Sequence, residues 1–429
     1  MAMRDRLLPA LLLAAVALPA GAQDLLIRAG HVLDVDTGRM LAGRDILVRD
    51  GRVASIAASA DAVDPGLRVL DWSTLTVVPG LMDMHTHLAD EGPYGDPATP
   101  LRSNAARDAF IGARNARATL QAGFTTVRDV GVYRGFADVQ LRDAINAGLV
   151  PGPRMSVAGT YVTVTGGGGE ITRLPAGTEV PVIFRRGVAD NEAEVRRRVN
   201  EILDAGADFI KVIATGAVLA DGTEPGQSEY TEAEIRAAVE EAGRRGRFVA
   251  AHAHGAEGIK RAVRAGARSI EHGSLIDDEA IALMKQHGTF LVADIYNGDY
   301  IDSVGRRDGW SAEILRKNLD TTEAQREGFR KAVAAGVNIA YGTDSGVYPH
   351  GDNARQFAYM VHYGMTPLQA IRAATLESAR LLRKEKELGS IAPGKLADLV
   401  ALACDPLADI ARLQQVRGVV KAGVPVALD

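Results

Sequence analysis

Apolar residues recur along this chain with two different periods, and the period changes near residue 80 and again near residue 385. Residues 25–34 and 45–56 alternate or cluster over short runs, and Asp50-Gly51 supplies a hairpin turn within the second. Residues 397–402 and 416–423 have the same strand character after Gly389-Ser390-Ile391-Ala392-Pro393-Gly394. Between these ends, helical spacing is followed again and again by a short apolar run. Helices predicted at 104–122, 190–205, 231–246, 256–265, 277–287 and 321–335 lead into strands at 125–129, 209–213, 248–252, 269–272, 290–293 and 338–344. Repeated strand–helix units with short connections predict a parallel sheet. About eight of them predict an α/β fold of the closed (β/α)8 barrel type. An open doubly wound sheet is the alternative, but no G-x-G-x-x-G or phosphate loop supports it. The two β-rich ends predict one discontinuous β-sandwich domain, residues 23–79 plus 386–429, around a barrel at 80–385.

The first 22 residues are read apart from the fold. Arg4 and Arg6 precede an apolar run at 7–18, too short to span a bilayer comfortably, and Pro19-Ala20-Gly21-Ala22 ends in an A-x-A pattern. This predicts a secretory signal peptide cut after Ala22 and a periplasmic or secreted mature protein. A buried N-terminal helix is the competing reading. The composition of the whole 429-residue chain is that of an ordinary globular protein, with 24% charged and 47% hydrophobic residues. A net charge of -5 gives no sign of a nucleic-acid or anionic-membrane partner. Cys404 is the only cysteine, which excludes an intramolecular disulfide and a cysteine-ligated zinc site. A metal here must be held by His, Asp, Glu or a modified Lys.

The candidate chemistry follows the strand ends. In Val78-Pro79-Gly80-Leu81-Met82-Asp83-Met84-His85-Thr86-His87, two histidines two residues apart on a strand share one face. Lys211 falls in the fourth strand, His252 closes the fifth, His272 the sixth and Asp344 the eighth. In a (β/α)8 barrel these ends meet at one mouth. Lys211 lies among Phe209, Ile210, Val212 and Ile213, so it is expected to be buried. Burial and nearby cations favour its neutral amine, which can add carbon dioxide to give an anionic carbamate able to bridge two metals. Snorkelling to the mouth, or pairing with an acid, is the plainer alternative. Of His252 and His254, one is expected to be a ligand and the other a substrate contact. Imidazole and carboxylate ligands without thiolate suit zinc, though manganese, iron or cobalt would also fit. Two divalent ions bridged by hydroxide supply a nucleophile near neutral pH, with Asp344 taking the proton and delivering it to the leaving amine. His31, His287 and His362 fall outside the strand ends and are expected at the surface.

These residues resemble the amidohydrolase superfamily. The matching stretches include Gly123-Phe124-Thr125-Thr126-Val127-Arg128-Asp129, Ile210-Lys211, Ala251-His252-Ala253-His254-Gly255, Ile270-Glu271-His272-Gly273 and Gly342-Thr343-Asp344. Within it the chain resembles the imidazolonepropionase-related branch, and more narrowly the binuclear Xaa-Pro dipeptidase or carboxypeptidase types and the ochratoxin A-hydrolysing amidohydrolases. The resemblance implies His85, His87, Lys211, His252, His272 and Asp344 as metal ligands. It implies His254 as a substrate or transition-state contact, Tyr230 as a binder of the substrate carboxylate, and a homo-oligomer. Imidazolonepropionase proper should lack the bridging lysine, so Lys211 argues against that activity. Many relatives carry a histidine in the loop after the third strand, where this chain has Thr165-Gly166-Gly167-Gly168-Gly169-Glu170. Gly167 and Gly168 are therefore placed near the substrate, in a loop whose flexibility would admit a bulky acyl group. His350, Tyr296, Tyr300, Trp310 and Tyr348 fall on late loops as candidate pocket residues. The expected reaction is hydrolysis of the amide bond to a C-terminal amino acid. Hydrolysis of a cyclic amide, lactone or other non-peptide C–N bond, and a non-catalytic binding protein, are the alternatives.

Overall fold

The computed structural model describes residues 24–60, 64–90 and 96–428. The expected signal peptide at 1–22 lies outside the described residues. The chain opens with β1 (Leu25–Asp34), β2 (Arg39–Arg49), β3 (Arg52–Ala58) and β4 (Arg68–Pro79). β1 and β2, then β2 and β3, pair antiparallel, while β1 runs parallel to β4. The β2–β3 turn is the expected Asp50-Gly51 pair, with φ of 49° and 72°, both in the left-handed region a two-residue hairpin requires.

The barrel follows: β5 (Leu81–Thr86), β6 (Phe124–Asp129), β7 (Arg154–Val157), β8 (Tyr161–Val162), β9 (Ile210–Ile213), β10 (Val249–Gly255), β11 (Ser269–Leu275) and β12 (Phe290–Val292). All ladders are parallel, in the orders β5-β6-β7 and β8-β9-β10-β11-β12. The third barrel position is split between β7 and β8, with the chain bent at Gly159 (φ 77°). The strand expected at 338–344 forms no ladder. Those residues still fill the eighth position, bridging β12 at Leu291–Ile339 and β5 at Thr86–Ser345. β5, β6, β9 and β10 are buried at every residue, as strands covered on both faces must be.

The outer helices pack through apolar stripes. Helix Glu192–Asp204 buries Val195, Val199, Ile202 and Leu203, and Asn191 caps its first turn through the Glu194 N–H. Thr231 and Glu234 form a capping box ahead of helix Glu232–Arg244. Of the helices that depart from the sequence reading, two border the cavity described below. The one expected at 321–335 runs over Ala312–Ala335, because Ser311 caps it a full two turns earlier, and helix Asn297–Asp308 was not anticipated.

β13 (Leu399–Leu402), β14 (Val416–Lys421) and β15 (Val424–Pro425) return to the first domain, where β13 pairs antiparallel with β4. The result is one seven-stranded sheet, β15-β14-β13-β4-β1-β2-β3, rather than two separately hydrogen-bonded layers. It curls over itself: Val53 N–H donates to Lys395 O and Ala397 N–H to Gly51 O, enclosing Ile27, Ile46, Val53, Trp72, Val77, Leu399 and Val420. No helix among the described residues is long and apolar enough to cross a membrane.

Candidate metal centre

The strand ends converge as expected. His85, His87, Lys211, His252, His254, His272 and Asp344 all border one cavity of about 120 Å³ at the C-terminal mouth of the barrel. Ligand-type atoms of His85, His87 and Asp344 lie within 4.8 Å of one another, as do those of His252, His254 and His272. Asp344 Oδ1 is 3.4 Å from His85 Nε2 and 3.2 Å from His87 Nε2.

Each imidazole is turned by a partner behind it. His85 Nδ1–H donates to Glu271 Oε2 (2.9 Å), His87 Nδ1–H to Gly131 O (2.7 Å) and His272 Nδ1–H to Asp294 Oδ1 (3.0 Å). A carboxylate or carbonyl can only accept, so the proton sits on Nδ1; Nε2 of His85 and His272 is left as a lone pair, while His87 Nε2 faces the Asp344 carboxylate. His252 is turned the other way, with Nε2–H toward Gly216 O at 3.3 Å, which frees Nδ1. Burial drives the pKa of His85 and His252 far below the ordinary value, with Lys211 and His272 adding to it. Neutral imidazole is the form a metal needs. For His87, burial is outweighed by its contact with Asp344 and the pKa rises.

Behind His85 stands a buried ion pair. Arg128 donates from Nη2 to both oxygens of Glu271 (2.7 Å each), from Nη1 to Ser269 Oγ (2.8 Å) and from Nε to Met84 O (2.6 Å). Behind His272, both oxygens of Asp294 are occupied, Oδ1 also by Gln325 Nε2 (2.8 Å) and Oδ2 by Asn297 Nδ2 (2.7 Å). Asp294 lies two residues after β12 and is not among the residues the sequence singles out. The signal was its place at the one late strand end to which no ligand had been assigned. Asn297 reaches Asp344 Oδ2 as well (3.2 Å), tying the two acids together. Backbone strain accumulates here: His272 and Asp344 have φ of 67° and 56°, a region costly for residues with a side chain. Asp83 holds the Asp344 segment, accepting from Thr343 Oγ1 (2.6 Å), Thr343 N–H and Asn353 Nδ2, and burial raises its pKa to about 6.

Lys211 is 2% exposed, and no carboxylate lies within ion-pair distance of it among the described residues. Burial brings its pKa down to about 8, with Arg128 adding to the effect and Glu271 and Asp344 opposing it. The snorkelling and acid-pairing alternatives are not what this geometry shows.

Other expected residues lie elsewhere. Tyr230 does not border the cavity; it is 1% exposed and its hydroxyl donates to Ala189 O at 2.6 Å, so it cannot receive a substrate carboxylate without breaking that bond. His350 sits behind the wall, within 3.2 Å of His87 O through Nε2, and supports that backbone instead of facing substrate. Tyr348 is buried against Tyr296, and Trp310 packs with Ile301, Ile314 and Val347. From that apolar cluster Ile301 and Val347 reach the cavity, as does Leu219 packed against it. Tyr133 and Tyr161, which no motif marked, do line it. His31, His287 and His362 are exposed.

The glycine loop is a packed wall and not a flexible flap. Gly168 and Gly169 border the cavity, while Gly167 is behind it. A Cβ on Gly167 would meet Glu229 Oε2 at 2.6 Å, and one on Gly169 would meet Ile213 and Thr163 at 2.9 Å. Glu229 fastens the wall by accepting from Gly168 N–H (2.9 Å), and burial raises its pKa from 4.5 to about 7. The folded chain thus binds this proton more tightly than the unfolded chain. Stability from this group falls as pH rises from about 4.5 through about 7. Urea unfolding at pH 5 and pH 8 should show a wild-type loss across that window that is smaller in Glu229→Gln.

The amidohydrolase family's sequence profile matches residues 76–426. Ochratoxinase from Aspergillus niger is 33% identical over 411 residues, covering 92% of this chain and 84% of the relative. Among solved structures, a Xaa-Pro dipeptidase with methionine bound in its active site is 38% identical with a TM-score of 0.88, covering 94% of this chain and all of the other. A prolidase complexed with N-methylphosphonate-L-proline is 32% identical with a TM-score of 0.86, over 94% and 99%. The histidine clusters suit the divalent metals this family generally binds. A profile match over most of the chain, relatives that are enzymes, and a ligand set at the mouth of the barrel lead to one statement: the chain belongs to the amidohydrolase family and is a hydrolase.

Proposed function

We propose that this chain is a binuclear metal-dependent amidase that cleaves the amide bond to a C-terminal amino acid, in a dipeptide, an N-acyl amino acid or an ochratoxin A-like compound. The observation that carries this reading is the set of four imidazoles, each turned from behind so that one nitrogen faces the cavity shared with Asp344 and Lys211. Similarity to ochratoxinase and to a Xaa-Pro dipeptidase supports an amide as the bond cleaved. In this reading His85, His87 and Asp344 hold one divalent ion and His252 and His272 a second, zinc being the best match to the donors. Lys211, its amine joined to carbon dioxide with loss of a proton, would supply a further anionic oxygen ligand at the same site. Bound there, the ions lower the pKa of water and polarise an amide carbonyl. Asp344 accepts the proton of the attacking water and returns it to the leaving nitrogen. Ser274 Oγ lies 2.8 Å from His254 Nδ1; with that hydroxyl donating, His254 Nε2–H is the donor that meets the substrate carbonyl. The reading extends to export through the leader at 1–22 and to a homo-oligomer.

The test is an assay of zinc-supplemented mature protein against Xaa-Pro dipeptides, other dipeptides and ochratoxin A, scoring free amino acid. Release that a chelator abolishes supports the reading; no release from any substrate, with two metals bound per chain, overturns it. Asp294→Asn should weaken binding of one metal equivalent by about 10–100-fold, the usual cost of altering the partner behind a ligand. Isothermal titration of metal-free protein checks this, because the His85 half should bind as before.

A second reading, hydrolysis of a cyclic amide, lactone or other non-peptide C–N bond, is favoured by one observation. No arginine, and no lysine besides Lys211, borders the cavity among the described residues, so a free carboxylate finds no side-chain cation there.

A further inference from the structure

A second cavity opens at the opposite end of the barrel. It occupies about 280 Å³ where β10, β11 and β12 begin, and its floor is apolar, with Phe248, Val249 and Val263. Arg247, Arg268 and Arg383 make its rim cationic, His287 borders it as well, and no aspartate or glutamate does among the described residues.

The charges there go unmatched. The side chains of Arg247 and Arg383 make no hydrogen bond or ion pair among the described residues, and Arg383 lies over the Phe248 ring at 6.0 Å. Arg268 is half-buried. Its Nε and Nη2 donate to Leu381 O (3.4 Å) and Arg380 O (2.7 Å), and its guanidinium stacks on Phe290 at 5.0 Å. None of these partners is an anion. Burial, then the charges of Arg383 and Arg380, lower its pKa, while Glu385 opposes them without forming an ion pair. Arg380 itself is matched by Glu377 at 2.7 Å.

Helix ends offer a competing explanation, since cations are favoured at helix C-termini. Helices Glu232–Arg244, Ala256–Ala265 and Asp278–His287 all end on this side. Each end carries about -0.5 of a charge, roughly -1.5 for the three. Three guanidinium groups exceed that by about one and a half charges.

We infer that this cleft binds a small amphiphilic oxyanion, a carboxylate or phosphate on a compact apolar body. The oxyanion meets the planar forks of Arg247, Arg268 and Arg383, whose geometry suits two-oxygen acceptors, and the body covers Phe248 and Val263. The site is separate from the metal centre. Val249 borders it, while His252 and His254 face the metals three and five residues further along β10.

Isothermal titration of the full-length, metal-loaded protein with benzoate, inorganic phosphate and benzyl alcohol tests this. Saturable binding of benzoate or phosphate but not benzyl alcohol is expected, and the stronger of the two tells a carboxylate ligand from a phosphate. The double variant Arg247→Gln/Arg383→Gln removes two exposed charges, so it should fold, keep its turnover and bind the anion about tenfold more weakly or worse. Three results overturn the inference: no saturable binding of either anion, equal binding by the double variant, or a variant whose only change is a lower Tm.

Discussion

Lys211→Ala should lose at least a hundredfold in turnover, beyond the upper end of what altering a residue behind a ligand costs, and should bind fewer than two metals per chain. An alkylammonium 2% exposed, with Arg128 close enough to depress it and no carboxylate in ion-pair reach, is poorly stabilised as a cation. Its pKa of about 8 leaves a usable fraction of free amine at neutral pH, which is the form that reacts with carbon dioxide. If the product bridges the metals, the alanine variant lacks a carboxylate at a defined point. Acetate or propionate, small enough to enter the space vacated, should then restore part of both the metal content and the turnover. A lysine that only fills space or pairs with an acid would show no such rescue. Metal analysis and amino-acid release, measured with and without added carboxylate, decide between them.

Arg128→Met is expected to destabilise the fold by about 3–5 kcal/mol, because it strands the Glu271 carboxylate in the interior. Arg128 and Glu271 are both 0% exposed, and Arg128 Nη2 donates to both Glu271 oxygens at 2.7 Å. Removing the guanidinium also frees β6 from Met84 of β5 and from Ser269 of β11. The double change Arg128→Met/Glu271→Leu should recover much of the stability, since no unpaired charge remains. It should not recover metal affinity, because His85 Nδ1 would lose the acceptor that fixes its tautomer. Urea denaturation read beside metal titration separates the two effects.

The histidines that border the cavity are legible because they sit in short repeated motifs at strand ends, where period-two alternation decides direction. What stands behind them is not. Asp294 is a single acid after a three-residue strand, and Tyr133 and Tyr161 are single aromatics without a motif. Only the folded barrel brings them to the cavity. Tyr230 shows the opposite failure: a motif match placed it at the substrate, but the side chain turns inward to Ala189. The eighth strand was read correctly in position and wrongly in kind. Asp344 needs a left-handed backbone to aim its carboxylate, and that conformation interrupts a ladder. The glycine loop misled for a related reason. Four glycines in a row suggest freedom, whereas a Cβ on Gly167, Gly168 or Gly169 would run into Glu229, Ala217, Ile213 or Thr163, and of the four Gly166 alone has open space around it.

The shared sheet sets an order of events during synthesis. β4 cannot receive its second neighbour until β13 exists, and the register of Pro79 against Leu399 closes a loop of about 320 residues. At roughly 5–20 residues per second, the edge of β4 stays open for about 16–64 s while the whole barrel emerges. Val77 and Val78, both 0% exposed in the finished protein, are uncovered for that interval. A nascent chain halted anywhere within the barrel therefore carries a sticky strand edge, which makes it a natural client for a holding chaperone.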